Sequence, residues 1–420
     1  MLLLTLLAFG LVPSSIAVAV AVAVPTPAPF TSTFHTVDLQ RHHGKLGPVA
    51  KALKATRRLQ QYLPTALETL DAGFWYGNFS IGASTNLSLL IDTGSDDVAV
   101  NPGLYIPSSA SQNLGQSGAL RYGTTEEDGC GSADIAYNTF ADCVSQQGLV
   151  AENQTFGDVY ATPPPNNGTI TQFPHDGLVG FAGVTPNETQ LGGRPFFQTL
   201  CDQGRVEECR FGLAFGTEGV GKQIFGGVNS SLFAGKLETA AVQKQWLVNG
   251  SAIAGKEVIS NQRIILDSGT ANVSRLPCSC TPTNSHSINI CVLTSPRIVG
   301  PPSVVRTLFD SLGLESYEQN LSGCTSVLFG YYPCDAPPTV GFQFGTGANS
   351  TAVYNIEASA FQQADNGNNN CTATVTGITF GSSGDLWIVG QTWFQGKYVD
   401  FDAAGKMIGV AQLRDKAGAS

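Results

Sequence analysis

"LLIDTGSDDVAVNP" at residues 89–102 runs three aliphatic residues into an aspartate, and "IILDSGTANVSRLP" at residues 264–277 does so again. A carboxylate at the end of a buried strand loses solvation, so it needs a partner or a chemical task. Two such loops in one chain can be each other's partner. Each Asp-[Thr/Ser]-Gly-[Ser/Thr] loop is followed further along by an apolar pair and a glycine, in "DGLVGFA" at 176–182 and "LWIVGQT" at 386–392. The repeated order predicts two similar β units, each contributing one aspartate.

Outward from these loops the same texture continues. Short apolar runs such as "FWYGNFSIG", "QIFGGVN", "TVGFQFG" and "KYVDFDAAGKMIGVA" alternate with glycine turns, the pattern of many short strands. Helical spacing is confined to "RPFFQTLCDQG" and "SVVRTLFDSLGL". The expected fold class is therefore all-β. Only 13% of the 420 residues are charged, about half the globular average of roughly 25%, which favours an extracellular β-rich protein over a helical cytosolic one.

Three features concern the route the chain takes. Residues 1–24 are apolar, broken by Pro13 and ending in small residues, and read as a signal peptide cleaved between Ala17 and Val24, with an uncleaved anchor as the alternative. There are 10 cysteines and no CxxC pair, which points to disulfides rather than metal or redox work. Eleven Asn-X-Ser/Thr sequons start at Asn78, Asn86, Asn153, Asn167, Asn187, Asn229, Asn249, Asn272, Asn320, Asn349 and Asn370. The expected location is secreted, by the secretory pathway, as a glycoprotein.

Charge divides the chain. Residues 25–58 hold six Lys/Arg against one acid, whereas residues 59–420 hold 16 basic and 31 acidic residues. A basic segment ahead of an acidic body suggests an intramolecular ion-pair arrangement, or else a basic linker. The segment ends in the dibasic Arg57-Arg58, a sequence that processing proteases cut, so it reads as a propeptide released more readily in acid. With only His175 and His286 after residue 58, a His-dependent triad or a His-rich zinc site has little to draw on, and neither cofactor nor metal is expected.

The paired motifs, in family order with "WYGNFSIGASTNLSLLIDTGS", "FGGVNSSLFAGKL" and "DLWIVGQTWFQGKYVDFDAAGKMIGVA", resemble the pepsin-like aspartic endopeptidases, family A1, of the fungal secreted type. The resemblance implies a bilobal β fold with an active-site cleft between the lobes, and a zymogen. It assigns 59–236 to an N-terminal lobe with the first catalytic aspartate and a flap, and 237–420 to a C-terminal lobe with the second. It makes Asp92 and Asp267 the dyad that activates water, with Thr93 and Ser268 interlocking the loops. Gly94 and Gly269 aim backbone N–H groups at the pair, and Ser95 and Thr270 hold the outer carboxylate oxygens.

Tyr122, in "LRYGTTEEDGCGS", matches the flap tyrosine, with a buried structural tyrosine as the alternative. Ala99 stands where the family commonly carries a tryptophan that bonds the flap. Cys334–Cys371 matches a family disulfide; Cys130–Cys143 and Cys201–Cys209 are reasonable local pairings, and Cys278, Cys280, Cys291 and Cys324 stay open. Asp96 and Asp97 read as solvated or turn-capping residues and His175 as structural. The expected partners are an extended peptide or denatured protein substrate and the chain's own propeptide, with Lys51 or Lys54 reaching the dyad. Nucleic acid is not expected, and the enzyme reads as a monomer. The alternative function is a catalytically silent binding or inhibitor protein of the same fold.

Overall fold

Period-two burial sets the first strands. In β1 (His35–Arg41) Val37 and Leu39 are buried between outward-facing neighbours, and in β2 (Trp75–Ile81) Trp75, Phe79 and Ile81 enter the core, as expected of a pleated strand with one covered face. The computed structural model describes residues 34–41, 74–123, 132–160, 173, 175–183, 189–269, 298–320, 326–345, 352–378 and 385–415. Among these, no helix is long and apolar enough to cross a membrane.

β3 (Ser84–Asp92) pairs antiparallel with β2, and its last four residues are all buried, a continuous apolar run because both faces are covered. After β4 (Val98–Val100), β5 (Gln112–Gly123) and β6 (Ser132–Gln146) form a long antiparallel hairpin that β7 (Leu149–Val159) extends. The β6–β7 turn places Gln147 and Gly148 at φ 44° and 92°, the doubly left-handed turn that suits twisted hairpins. β8 (Gly177–Gly180) lies parallel to β3, with Asp92 opposite Gly180. β4 runs antiparallel to β8 and parallel to β7. β9 (Arg210–Phe215) and β10 (Val220–Phe225) close this group, and β1 pairs with β10 over six positions.

β11 (Glu238–Lys244) leads into β12 (Leu247–Ala254) and β13 (Glu257–Asp267). Then follow β14 (Ile298–Gly300), β15 (Glu315–Gln319), β16 (Val327–Pro333), β17 (Val340–Phe344), β18 (Tyr354–Asn355), β19 (Gln362–Asp365), β20 (Asn370–Gly377) and β21 (Leu386–Gly390). β21 is parallel to β13, with Asp267 opposite Gly390, while β14 is antiparallel to β21 and parallel to β20. This repeats the arrangement of β3, β4, β7 and β8, so the internal repeat expected from the two motifs exists in the strand pairing. β22 (Lys397–Asp402) and β23 (Met407–Gln412) return to pair with β9 and β11.

Both helical stretches form. α1 (Phe196–Asp202) buries Phe196, Phe197 and Leu200; α2 (Pro302–Leu312) starts on proline and stops at Gly313, φ 67°, the helix-start proline and left-handed terminal glycine that favour those positions. A single turn, α3 (Gln391–Phe394), follows β21. Aromatic stacking fills the core: Trp75 lies on Phe215 with ring centres 4.4 Å apart, and Phe211 on Phe401 at 4.7 Å.

Disulfides Cys201–Cys209 and Cys334–Cys371 are present. Of the pairing expected between Cys130 and Cys143, Cys130 lies outside the described residues, and Cys143 has no disulfide partner among those described. Charge reasoning missed β1. This part of the basic segment is held by backbone pairing and by burial of Val37 and Leu39 in the main core.

Candidate active site

β3 and β13 each end on an aspartate because the apolar run that precedes it is sandwiched between neighbouring strands while the next two residues must turn. The turns face each other closely. A Cβ built on Gly94 would collide with the carboxyl group of Asp267, and one on Gly269 with that of Asp92. Glycine is required at both places by this reciprocal approach.

Beneath the carboxyls the loops interlock almost symmetrically. The Thr93 hydroxyl donates to the Leu266 carbonyl (2.9 Å) and accepts from the Ser268 N–H (2.8 Å). The Ser268 hydroxyl donates to the Ile91 carbonyl (2.8 Å) and accepts from the Thr93 N–H (3.0 Å). Both side chains are fully buried, so each bond carries the full cost of leaving a group unpaired if broken. The Gly94 N–H donates to Asp92 Oδ1 and the Gly269 N–H to Asp267 Oδ1, each at 2.8 Å, and the Ser95 hydroxyl donates to Asp92 Oδ2 at 2.5 Å.

Asp92 is 6% exposed. Burial raises its pKa well above the usual carboxylate range, the neighbouring Asp267 charge raises it further, and the bonds from Ser95 and Gly94 offset part of this. Two carboxyls in hydrogen-bond reach of one another cannot both carry a charge cheaply. Such an arrangement can take a proton from a water and give one to a carbonyl.

Of the other expected residues, Thr270 and the side chain of Tyr122 lie outside those described; the Tyr122 backbone sits on β5 opposite Ala133 of β6. Ala99 is buried on β4. Asp97 caps a turn, as one of its two readings had it: Oδ1 accepts the Leu191 N–H at 3.2 Å. It is not solvated, however, being 0% exposed, and burial with the Asp96 charge beside it raises its pKa to about 6. His175 is structural, its ring packed edge-on against Tyr76 and its carbonyl accepting from Asn101. Sequence reasoning missed Asn101, which follows the first motif and also ties down Phe173 in both directions (2.8 and 2.9 Å). The grouping of Cys334, Asp365 and Cys371 has metal-ligand residue types, but its sulfurs are joined as a disulfide.

The family described as eukaryotic aspartyl protease matches residues 74–413. An aspartic protease of Phaffia rhodozyma is 26% identical over 389 residues, covering 86% of this chain and 83% of that protein. Major aspartyl peptidase 1 of Cryptococcus neoformans var. grubii is 26% identical over 371 residues, 82% of this chain and 69% of its own length. Pepsin A of Bos taurus is 26% identical over 384 residues, covering 87% and 88%.

Proposed function

Since the chain belongs to the eukaryotic aspartyl protease family, we propose that Asp92 and Asp267 are its catalytic pair and that the protein is a secreted, acid-active endopeptidase made as a zymogen. The aspartic endopeptidase activity and the bilobal all-β fold come with the family. The observation carrying the finer reading is the reciprocal seating of each carboxyl over the other loop's glycine. With one proton between them, one carboxyl accepts a proton from the attacking water while the other donates to the scissile carbonyl, without a covalent intermediate.

The substrate is an extended peptide or unfolded protein. Release of the basic segment after cutting near Arg58 is the proposed activation step; β1 belongs to that segment, while Lys51 and Lys54 lie outside the described residues. The Asp-Thr-Gly-Ser and Asp-Ser-Gly-Thr motifs are both intact, which disfavours the silent-binder alternative. Cleavage of a denatured protein at acid pH by the chain cut at Arg58, absent from the uncut chain at neutral pH, is the expected result. No acid cleavage by the cut chain would overturn the proposal.

A further inference from the structure

Trp246 has a backbone that its residue type resists. It and Gln245 form the β11–β12 turn at φ 55° and 45°, where Asn-Gly is the usual occupant because β-carbons crowd the left-handed region. The side chain this brings inward is 0% exposed and lies edge-on to Phe401 and Phe211, ring centres 5.0 and 5.9 Å away. Its indole N–H donates to the Phe181 carbonyl at 2.8 Å. The Phe181 N–H in turn donates to the Asp92 carbonyl at 2.6 Å, and its neighbours Gly180 and Ala182 donate to the Asp97 and Ser95 carbonyls at 2.7 Å each. Residues 180–182 are thus zipped onto the loop that carries Asp92.

The other end of Trp246 reaches the second loop. Its carbonyl accepts from Leu266, the residue before Asp267, at 3.5 Å, the long end of the range, and Leu247 stands opposite Ile265 in the ladder. The Leu266 carbonyl accepts from the Thr93 hydroxyl. A closed circuit results: Asp92, Phe181, Trp246, Leu266, Thr93 and back to Asp92 through the chain. We propose that Trp246 is a positioning residue of the catalytic pair, its indole N–H fixing the separation of the two aspartate loops. Burial of an indole does not by itself demand such a bond, since Trp75 is equally buried and its N–H has no partner among the described residues.

The inference rests on Asp92 and Asp267 being the pair. Its test compares Trp246→Phe, which keeps an aromatic ring, though a smaller one, and deletes the donor, with Trp393→Phe, which makes the same change of ring and deletes the 2.8 Å indole bond to the Tyr354 carbonyl, away from the circuit. With a peptide substrate at acid pH, Trp246→Phe is expected to lower kcat about ten-fold with KM unchanged, because small displacements of reacting groups are costly. Trp393→Phe should lower Tm about as much as Trp246→Phe does and leave kcat alone. Equal kcat in the two variants would overturn the proposal. Should Trp246→Phe fail to fold, benzothienylalanine at 246, the same shape without the N–H, must show the same loss of kcat; full activity there would overturn the proposal equally. Asp92→Asn separates the two claims. Activity retained in it removes the pair and this inference together, whereas activity lost there with an unaffected Trp246→Phe removes the inference alone.

Discussion

Replacing Asp92 by asparagine should change two quantities in opposite directions. Proton transfer needs both carboxyls, so hydrolysis should fall by roughly 10³-fold or more, and the same holds for Asp267→Asn. Yet Asp92 is a buried acid with a raised pKa, and ionising it costs folding free energy, so Asp92→Asn should melt at a higher temperature than the wild type near neutral pH. Melting curves of the two proteins at pH 7 check this; a less stable variant would show that the carboxyl is not under that strain. Thr93→Val keeps the shape and removes the hydroxyl that serves Leu266 and Ser268. Two buried groups lose their partner, at about 1–3 kcal/mol each, whereas Thr93→Ser should be far milder. The loops were legible in the sequence because four residues in fixed order, given twice, specify their chemistry locally. Burial of Asp97 was not, since the N–H it accepts from belongs to Leu191, some ninety residues away.

Single elements show where pattern and charge compete as signals. The run "HTVDLQR" has the alternation of a half-buried strand, with Val37 and Leu39 inward, but two apolar residues among polar and charged ones are a weak signal beside a net positive segment. The pairing that decides the matter is with Val220–Phe225, far along the chain, and no local rule reaches that distance. If β1 is core, Leu39→Ala in the uncut chain should cost about 2–5 kcal/mol, measurable by denaturant unfolding; a neutral substitution would mean the strand only rests on the surface. The cysteines divide similarly. Cys334–Cys371 closes a separation of 37 residues and Cys201–Cys209 one of 8. Chain-entropy reasoning makes the first the more stabilising by about 1.4 kcal/mol, and double serine variants of each pair, compared by their unfolding free energies, would reveal the order.

At the scale of the whole molecule, stability should follow the carboxyls whose folded pKa is raised. Burial lifts Asp97 and Asp158 to about 6 and also raises Asp92, Asp96 and Asp400, in the last case against the pull of Arg210. A group with a raised folded value keeps a proton that the unfolded chain has already released. Its contribution is therefore complete below the ordinary carboxylate value near 4 and is lost as pH rises through the folded one, about 4 to 6 for Asp97 and Asp158. For Asp97 the loss is at most about 3 kcal/mol. Asp142 works the other way: burial alone would raise its pKa, but donors from Ser108, Cys143 and Tyr105 lower it overall, so its contribution is lost in strong acid. Few cations, 16 Lys/Arg after residue 58, keep repulsion low in that range. Calorimetric Tm should therefore be highest near pH 4 and fall toward pH 7, and Asp97→Asn should flatten that fall. A Tm that climbs from pH 4 to 8 in the wild type would mean that these buried acids are paired in a way that favours their charged forms, and the account of an acid-adapted fold would have to be abandoned.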